Sequence, residues 1–363
     1  MKTKLFSILD NIHCYLYKKI YKITYLYITH KKTRNLKRLT LVEKRKISKY
    51  WKKEFGKSIP LNEFKWYKNK FNILEEKIIP DSIWHSEIEP YFCNINFEKS
   101  FCDKNYLDTI IENKNSPNTI IRCINYQLLN NSYESIDINE CISNLNNNLE
   151  VILKPSIESG GGRGILFLEK KDFNEQKIID LINKYEGNFI IQQVIKQNKF
   201  LAKFNNKSLN TFRILSFLYK DNVHILSSFL RIGGENSRLD NVSSGGFFVP
   251  ISIDGKLFNY AYVENAKTND LELSDAINKK IKLDKLNVPN WNNVVDVIKK
   301  YHYKLPHFKL INWDVSIDEK DNPIIVEYNL LDSSVSFHQI SVGPIFGELT
   351  TEILNEIRDK RKK

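Results

Sequence analysis

Asp314-Val-Ser-Ile-Asp-Glu-Lys-Asp-Asn-Pro-Ile-Ile-Val-Glu327-Tyr-Asn329 reads as two short apolar runs around a polar turn. That pattern predicts a β-hairpin. With Lys320 and Asp321 as a two-residue turn, Asp314 faces Glu327 across the ladder and Asn312 faces Asn329. Alternation then gathers Asp314, Glu327 and Asn329 on one face, with Val315, Ile317, Ile324, Val326 and Tyr328 on the other, toward a core. Opposed residues have Cβ atoms about 5 Å apart. Two carboxylates at that distance repel by roughly 3 kcal/mol at an effective dielectric near 20. On a solvent-facing edge water would screen them; on a buried face a hard divalent cation such as Mg²⁺ reverses the sign, with carboxylate and amide oxygens as ligands.

Working outward, Val151-Ile-Leu-Lys154-Pro-Ser-Ile-Glu-Ser-Gly160-Gly161-Gly162-Arg-Gly164-Ile-Leu-Phe-Leu168 sets a glycine-rich loop between two β-rich runs. Glycines let backbone N–H groups approach an anion closely. Read alone, such a loop is equally a flexible hairpin. A P-loop would end in Gly-Lys-Ser/Thr and open into a helix, and this one does not. Lys154 ends a very apolar strand, and a half-buried ammonium there calls for an anion such as nucleotide phosphate. Phe189–Ile195, with Gln192, Gln193 and Val194, is an apolar strand that suits an adenine edge or plain core. Arg213 (in Asn210-Thr-Phe-Arg213) and Arg231 (followed by Asp240, Asn241, Gly245 and Gly246) lie beside strands, where each can hold a carboxylate or phosphate bidentately or form a surface ion pair.

Short β-rich runs fill residues 119–328, with helices expected near 172–185 and 290–302, another from Lys104 to about Asn113 capped by Asp103, and one after Pro344. Residues 1–80 read as mostly helical and 81–100 as irregular. The fold class is α+β, and the chain divides into a basic helical segment (1–80) and two further parts, 81–190 and 191–363.

Composition narrows the chemistry. The five cysteines are scattered and never form C-x-x-C, which argues against a disulfide framework or zinc ribbon and for a reducing cytosol. His302 and His307 lack companion metal ligands and read as structural. Residues 1–60 hold 17 Lys/Arg against 3 Asp/Glu, while the remainder holds 38 against 40, so the net charge of +12 belongs to the N-terminal segment. No apolar run there approaches the ~20 residues a membrane span needs. No signature of a nucleic-acid-binding module is present, so no specific nucleic acid is expected. Two readings of the segment stand: peripheral attachment to an anionic leaflet, with its tyrosines at headgroup level, or a solvated basic helical face.

Taken together, Asp103-Lys104, Lys154 with its glycine loop, Asn210-Thr-Phe-Arg213, Arg231-Ile-Gly, Asp240-Asn241, Gly245-Gly246, Trp313-Asp314 and Glu327-Tyr-Asn329 resemble the ATP-grasp superfamily, in particular its sugar-transfer associated branch. The resemblance runs from about Cys102 to Gly347. It implies two lobes gripping ATP, with Lys104 and Lys154 on the phosphates and Lys154 also near the adenine. Gly160, Gly161 and Gly162 would cover the phosphates, Gln192, Gln193 and Val194 would sit at the hinge, and Asp314, Glu327 and Asn329 would hold Mg²⁺. Arg213 and Arg231 would act on the transferred phosphoryl, and Asn210, Asp240, Asn241, Gly245 and Gly246 would meet substrate.

Two positions depart from the superfamily pattern: glutamines replace the hinge acid, and Asn312 stands where many members carry Arg. The implied activity is a carboxylate–amine ligase of cell-surface polysaccharide biosynthesis. It would work through an acyl phosphate, on a small or glycan-linked carboxylate and an amine, in the cytoplasm or at the inner face of the membrane. The alternatives are an ATP-grasp kinase acting on a sugar or polyol hydroxyl, and a non-catalytic partner of a glycosyltransferase.

Overall fold

In the computed structural model, the described residues are 2–157, 159–240, 245–265, 270–275 and 281–362. Three helices lead: α1 (Lys2–Thr33), α2 (Leu41–Glu54) and α3 (Asn62–Phe71). α2 starts at a capping box, with Thr40 Oγ accepting from Glu43 N and the Glu43 carboxylate accepting from Thr40 N. Residues 81–100, expected to be irregular, are largely successive helical turns; Pro90 stands within the first two positions of one of them, where its missing N–H costs nothing. The turn at Lys104–Tyr106 runs into Leu107–Ile110, and Asp103 caps it through Asn105 N.

Two antiparallel sheets follow. The smaller has order β2-β1-β5-β3-β4, built from Thr119–Ile124 (β1), Gln127–Asn130 (β2), Glu150–Pro155 (β3), Leu166–Glu169 (β4) and Phe189–Gln193 (β5). Helices α4 (Ile138–Asn146) and α5 (Glu175–Lys184) bury Cys141, Leu145, Ile178 and Leu181 in a core with Val151, Leu153 and Ile191. The larger sheet has order β10-β9-β8-β7-β6-β11-β12. Its strands are Thr211–Tyr219 (β6), Asn222–Ile232 (β7), Phe247–Ile251 (β8), Ala261–Asn265 (β9), Asp270–Ser274 (β10), Leu310–Ile317 (β11) and Pro323–Asn329 (β12). Helices α6 (Trp291–His302), α7 (Val335–Val342) and α8 (Thr350–Lys360) complete it. Trp51, Phe55 and Tyr67 of the leading helices share one core with Phe217, Trp313 and Leu354, so α2 and α3 pack as part of this body.

The hairpin of β11 and β12 corrects the expected turn. Pairing near the turn runs Ile317↔Pro323 and Val315↔Ile325, one residue short of the predicted register, because the loop spans 318–322. A bulge between Asp314 and Val315 restores Asp314↔Glu327 and Asn312↔Asn329. The bulge also redistributes side chains. Ile325 joins the large core, while Val326, expected in the core, lines the cleft described next.

Candidate active site

A cleft of about 960 Å³ separates the two sheets. β3 and β4 contribute Ile152, Lys154 and Phe167; β6, β7, β11 and β12 contribute Arg213, Arg231, Asp314, Glu327 and Asn329. Strand alternation explains the grouping, since Arg213 lies opposite Asp314 in the β6–β11 ladder and Asp314 opposite Glu327 in the next.

The charges form one connected set. Asp314 is 1% exposed and accepts from both Arg213 Nε and Arg213 Nη2, the latter at 2.8 Å. Arg231 Nη2 lies 3.3 Å from the same carboxylate and 3.1 Å from Asp240. Lys104 Nζ is 3.8 Å from Glu327 and donates to Ser159 Oγ of the glycine loop at 3.1 Å. Burial pushes the Asp314 carboxyl above its usual range, against the pull of the two arginines. Burial also acts to raise Glu327, but the charges of Lys104 and the arginines outweigh it and hold that carboxyl low. Lys154 has no ion-pair or hydrogen-bond partner for its ammonium among the described residues, and burial pulls it down to about 8.

The donor set fits Mg²⁺. The buried Asp314 carboxylate, the partly exposed Glu327 carboxylate and the Asn329 amide converge from adjacent strands, a set that suits an ion retaining phosphate oxygens as further ligands. No cluster of three or more His, Cys, Asp or Glu occurs among the described residues, and the set here is two carboxylates and an amide. The arginines and Lys104 supply the counter-charge that the carboxylates need.

The glycine loop stands at the cleft. Gly161 and Gly162 have φ of +64° and +73°, which favours glycine, and a Cβ at Gly160 or Gly161 would meet nothing within 4 Å. Gln193 and Val194 line the cleft. Gln192 does not: it is closed over and donates to Thr119 Oγ1 at 3.4 Å.

Several expected substrate residues lie elsewhere. Asn210 is fully buried; its amide donates to the Leu201 and Asn205 carbonyls and to Gln197 Oε1, and accepts from Ser208 Oγ and Gly233 N. It pins a loop. Asp240 does line the cleft, but it is engaged by Arg231 and Thr211 and so positions the arginine. Gly245 is exposed and Gly246 buried, and neither lines the cleft; Asn241 lies outside the described residues.

A match to the sugar-transfer associated ATP-grasp model spans residues 93–355. The chain belongs to the sugar-transfer associated ATP-grasp family. No curated protein matches this ATP-grasp chain in sequence. Among solved structures it is similar to D-alanyl-alanine synthetase A from Vibrio cholerae O1 biovar eltor, at 12% identity and TM-score 0.44, covering 74% of this chain and 67% of that one. It is also similar to L-amino acid ligase from Bacillus licheniformis, at 12% identity and TM-score 0.40, covering 70% of this chain. The chain spans about half of that ligase's length, 48%. D-alanine–D-alanine ligase from Bacillus anthracis aligns at 12% identity and TM-score 0.40, covering 72% of this chain and 70% of that one.

Some cleft residues escaped the sequence reading. Asp332, Ser333, Ser334, Phe337 and His338 follow the metal-type hairpin and line the end of the cleft with Phe229. His338 Nδ1 is buried without a hydrogen-bond partner among the described residues, and burial with the nearby Arg213 charge drives that imidazole down to about 3, so it is neutral. Arg238 packs its guanidinium 3.5 Å from the centre of the Phe167 ring and pairs with Glu150. The Asp332-Ser333-Ser334 stretch, beginning three residues after Asn329, was the available clue for the first group; nothing local marked Arg238.

Proposed function

We propose that this ATP-grasp protein is a Mg-ATP-dependent carboxylate–amine ligase that works through an acyl phosphate. The observation that carries the reading is the cross-strand Asp314–Glu327 pair, ringed by Arg213, Arg231 and Lys104 in a cleft between two sheets. Phosphoryl transfer asks a protein mainly for in-line positioning and charge neutralisation. The apolar walls Ile152, Phe167 and Val194 suit a base, and Lys154 and the glycine loop suit phosphates. Mg²⁺, held by Asp314, Glu327 and Asn329, would neutralise phosphate charge.

Arg213 and Arg231 then stand where a carboxylate acceptor and the transferred phosphoryl meet. The acceptor occupies the end lined by Phe229, His338 and Ser334. Its carboxylate oxygen bonds to the γ-phosphorus as ADP leaves; the amine then bonds to the acyl carbon and phosphate departs. A role in cell-surface polysaccharide synthesis, with a glycan-linked carboxylate, accords with the family.

The test supplies Mg-ATP, ¹⁸O-carboxylate-labelled uronic and amino acids, and a panel of amines. A ligase moves one ¹⁸O from the carboxylate into the released phosphate. Phosphate retained on a hydroxyl of the acceptor identifies a kinase instead.

A further inference from the structure

Helix α1 is apolar on two opposite faces, and the protein covers one of them. Inward, Tyr17 donates to Glu89 at 3.4 Å, and Tyr25 stacks on His85 with ring centres 4.2 Å apart. The Tyr25 hydroxyl also donates to Asp332 of the cleft wall at 3.2 Å. This corrects the expectation that the tyrosines as a group suit a headgroup layer: Tyr17, Tyr21 and Tyr25 face the protein body.

Outward, Leu9, Ile12, Leu16, Ile20, Ile23 and Tyr27 recur every three or four residues, the spacing of one helix face. All six are exposed, Ile20 by 60%, Ile23 by 58% and Tyr27 by 70%. At 1.5 Å per residue the row runs about 27 Å along the surface. An uncovered apolar row of this extent marks an interaction site.

Charge selects the occupant. Residues 9–38 hold eight Lys/Arg and one acid, Asp10. Lys19 and Lys22 flank the row, and Lys31, Arg34, Lys37 and Arg38 are exposed at and just beyond its end. An apolar stripe edged by lysines fits a surface that is apolar within and anionic at its rim, the profile of an anionic bilayer. A second copy of this helix would bring like charges together. No helix among the described residues is long and apolar enough to cross a membrane, so the fit is to lying on one.

We infer that α1 docks the protein on an anionic bilayer by burying Leu9, Ile12, Leu16, Ile20, Ile23 and Tyr27 among the acyl chains while its lysines meet the headgroups. Because Tyr25 on the opposite face bonds Asp332, docking sets the cleft at a fixed place relative to the membrane.

Flotation of the full chain with vesicles of equal phosphatidylglycerol and phosphatidylcholine is the test, beside pure phosphatidylcholine vesicles. The parent should float with the anionic vesicles and remain below with the neutral ones. Ile20→Glu/Ile23→Glu should reduce flotation by about tenfold or more, with unchanged helicity by circular dichroism. Both positions are exposed, so folding is not at stake. A parent that fails to float, or a double variant that floats equally well, overturns the inference. A parent that fails to float and sediments as a dimer, with the double variant a monomer, assigns the row to a second copy and likewise overturns it. None of these readouts depends on the ligase reading.

Discussion

Arg238 and Glu150 pair bidentately across the mouth of the cleft, with Nη1–Oε1 at 2.6 Å and Nη2–Oε2 at 2.7 Å. Glu150 opens β3 of the small sheet and Arg238 sits beyond β7 of the large one, so the pair joins the two walls. Both side chains are about a third or more exposed, which limits the pair to about 0–1 kcal/mol of stability. Arg238→Ala should therefore leave the melting temperature within a few degrees of the parent. It should weaken Mg-ATP binding a few-fold, because the cleft closes with less help. Calorimetry of melting and of nucleotide binding checks both.

Lys154 predicts a proton linkage. Its ammonium is pulled down to about 8 by burial, from an ordinary value near 10.5. Between those limits the unfolded chain binds more protons, so stability rises as pH climbs through that window, and the burial cost is present in full below about 8. Bound phosphate favours the charged form and reverses the shift. At pH 8.5, Mg-ATP binding should take up a fraction of a proton, seen as a buffer-dependent heat. Lys154→Met should abolish the uptake and weaken binding while the fold persists. Buffer-independent heats would show that Lys154 is not at the phosphates.

Asn210 should prove structural. Removing its amide strands the Leu201 and Asn205 carbonyls in a buried site. Asn210→Ala should cost about 2–3 kcal/mol in urea unfolding, with the midpoint lowered and the slope unchanged. A variant of parental stability but raised KM for an acceptor would return Asn210 to the substrate site.

His338 lines the cleft at the end proposed for the acceptor, and its Nδ1 has no hydrogen-bond partner among the described residues. His338→Phe should bind Mg-ATP like the parent yet release acceptor-dependent phosphate at least about tenfold more slowly, the loss expected when a polar contact to substrate goes missing. Equal turnover would place the acceptor elsewhere.

Much of the site was legible because it lies on strands, where alternation fixes the face. Arg213, Asp314 and Glu327 meet for that reason. The register near the turn was not legible: a longer loop and a bulge offset one another, so the Asp314–Glu327 pairing emerged while the faces of Ile325 and Val326 were exchanged. Residues 81–100 carry aromatics and Pro90, which hide their helical turns, and tertiary packing stabilises those turns. Asn210 looked like a substrate residue because a polar side chain in a motif reads the same whether it faces a ligand or pins a loop. Arg238 reaches the cleft from a loop remote in sequence from Phe167 and Glu150, and no local periodicity records that.

The central claim is that Asp314 and Glu327 hold Mg²⁺ for a nucleotide in this cleft. Calorimetric titration of the full chain with a non-hydrolysable ATP analogue, with and without Mg²⁺, tests it most directly, using Asp314→Asn and Glu327→Gln beside the parent. The account predicts Mg²⁺-dependent binding by the parent that is lost on adding EDTA and weakened about a hundredfold in either folded variant, the size expected when a ligand to a shared ion is removed. Variants that bind the Mg²⁺ complex as tightly as the parent would contradict it.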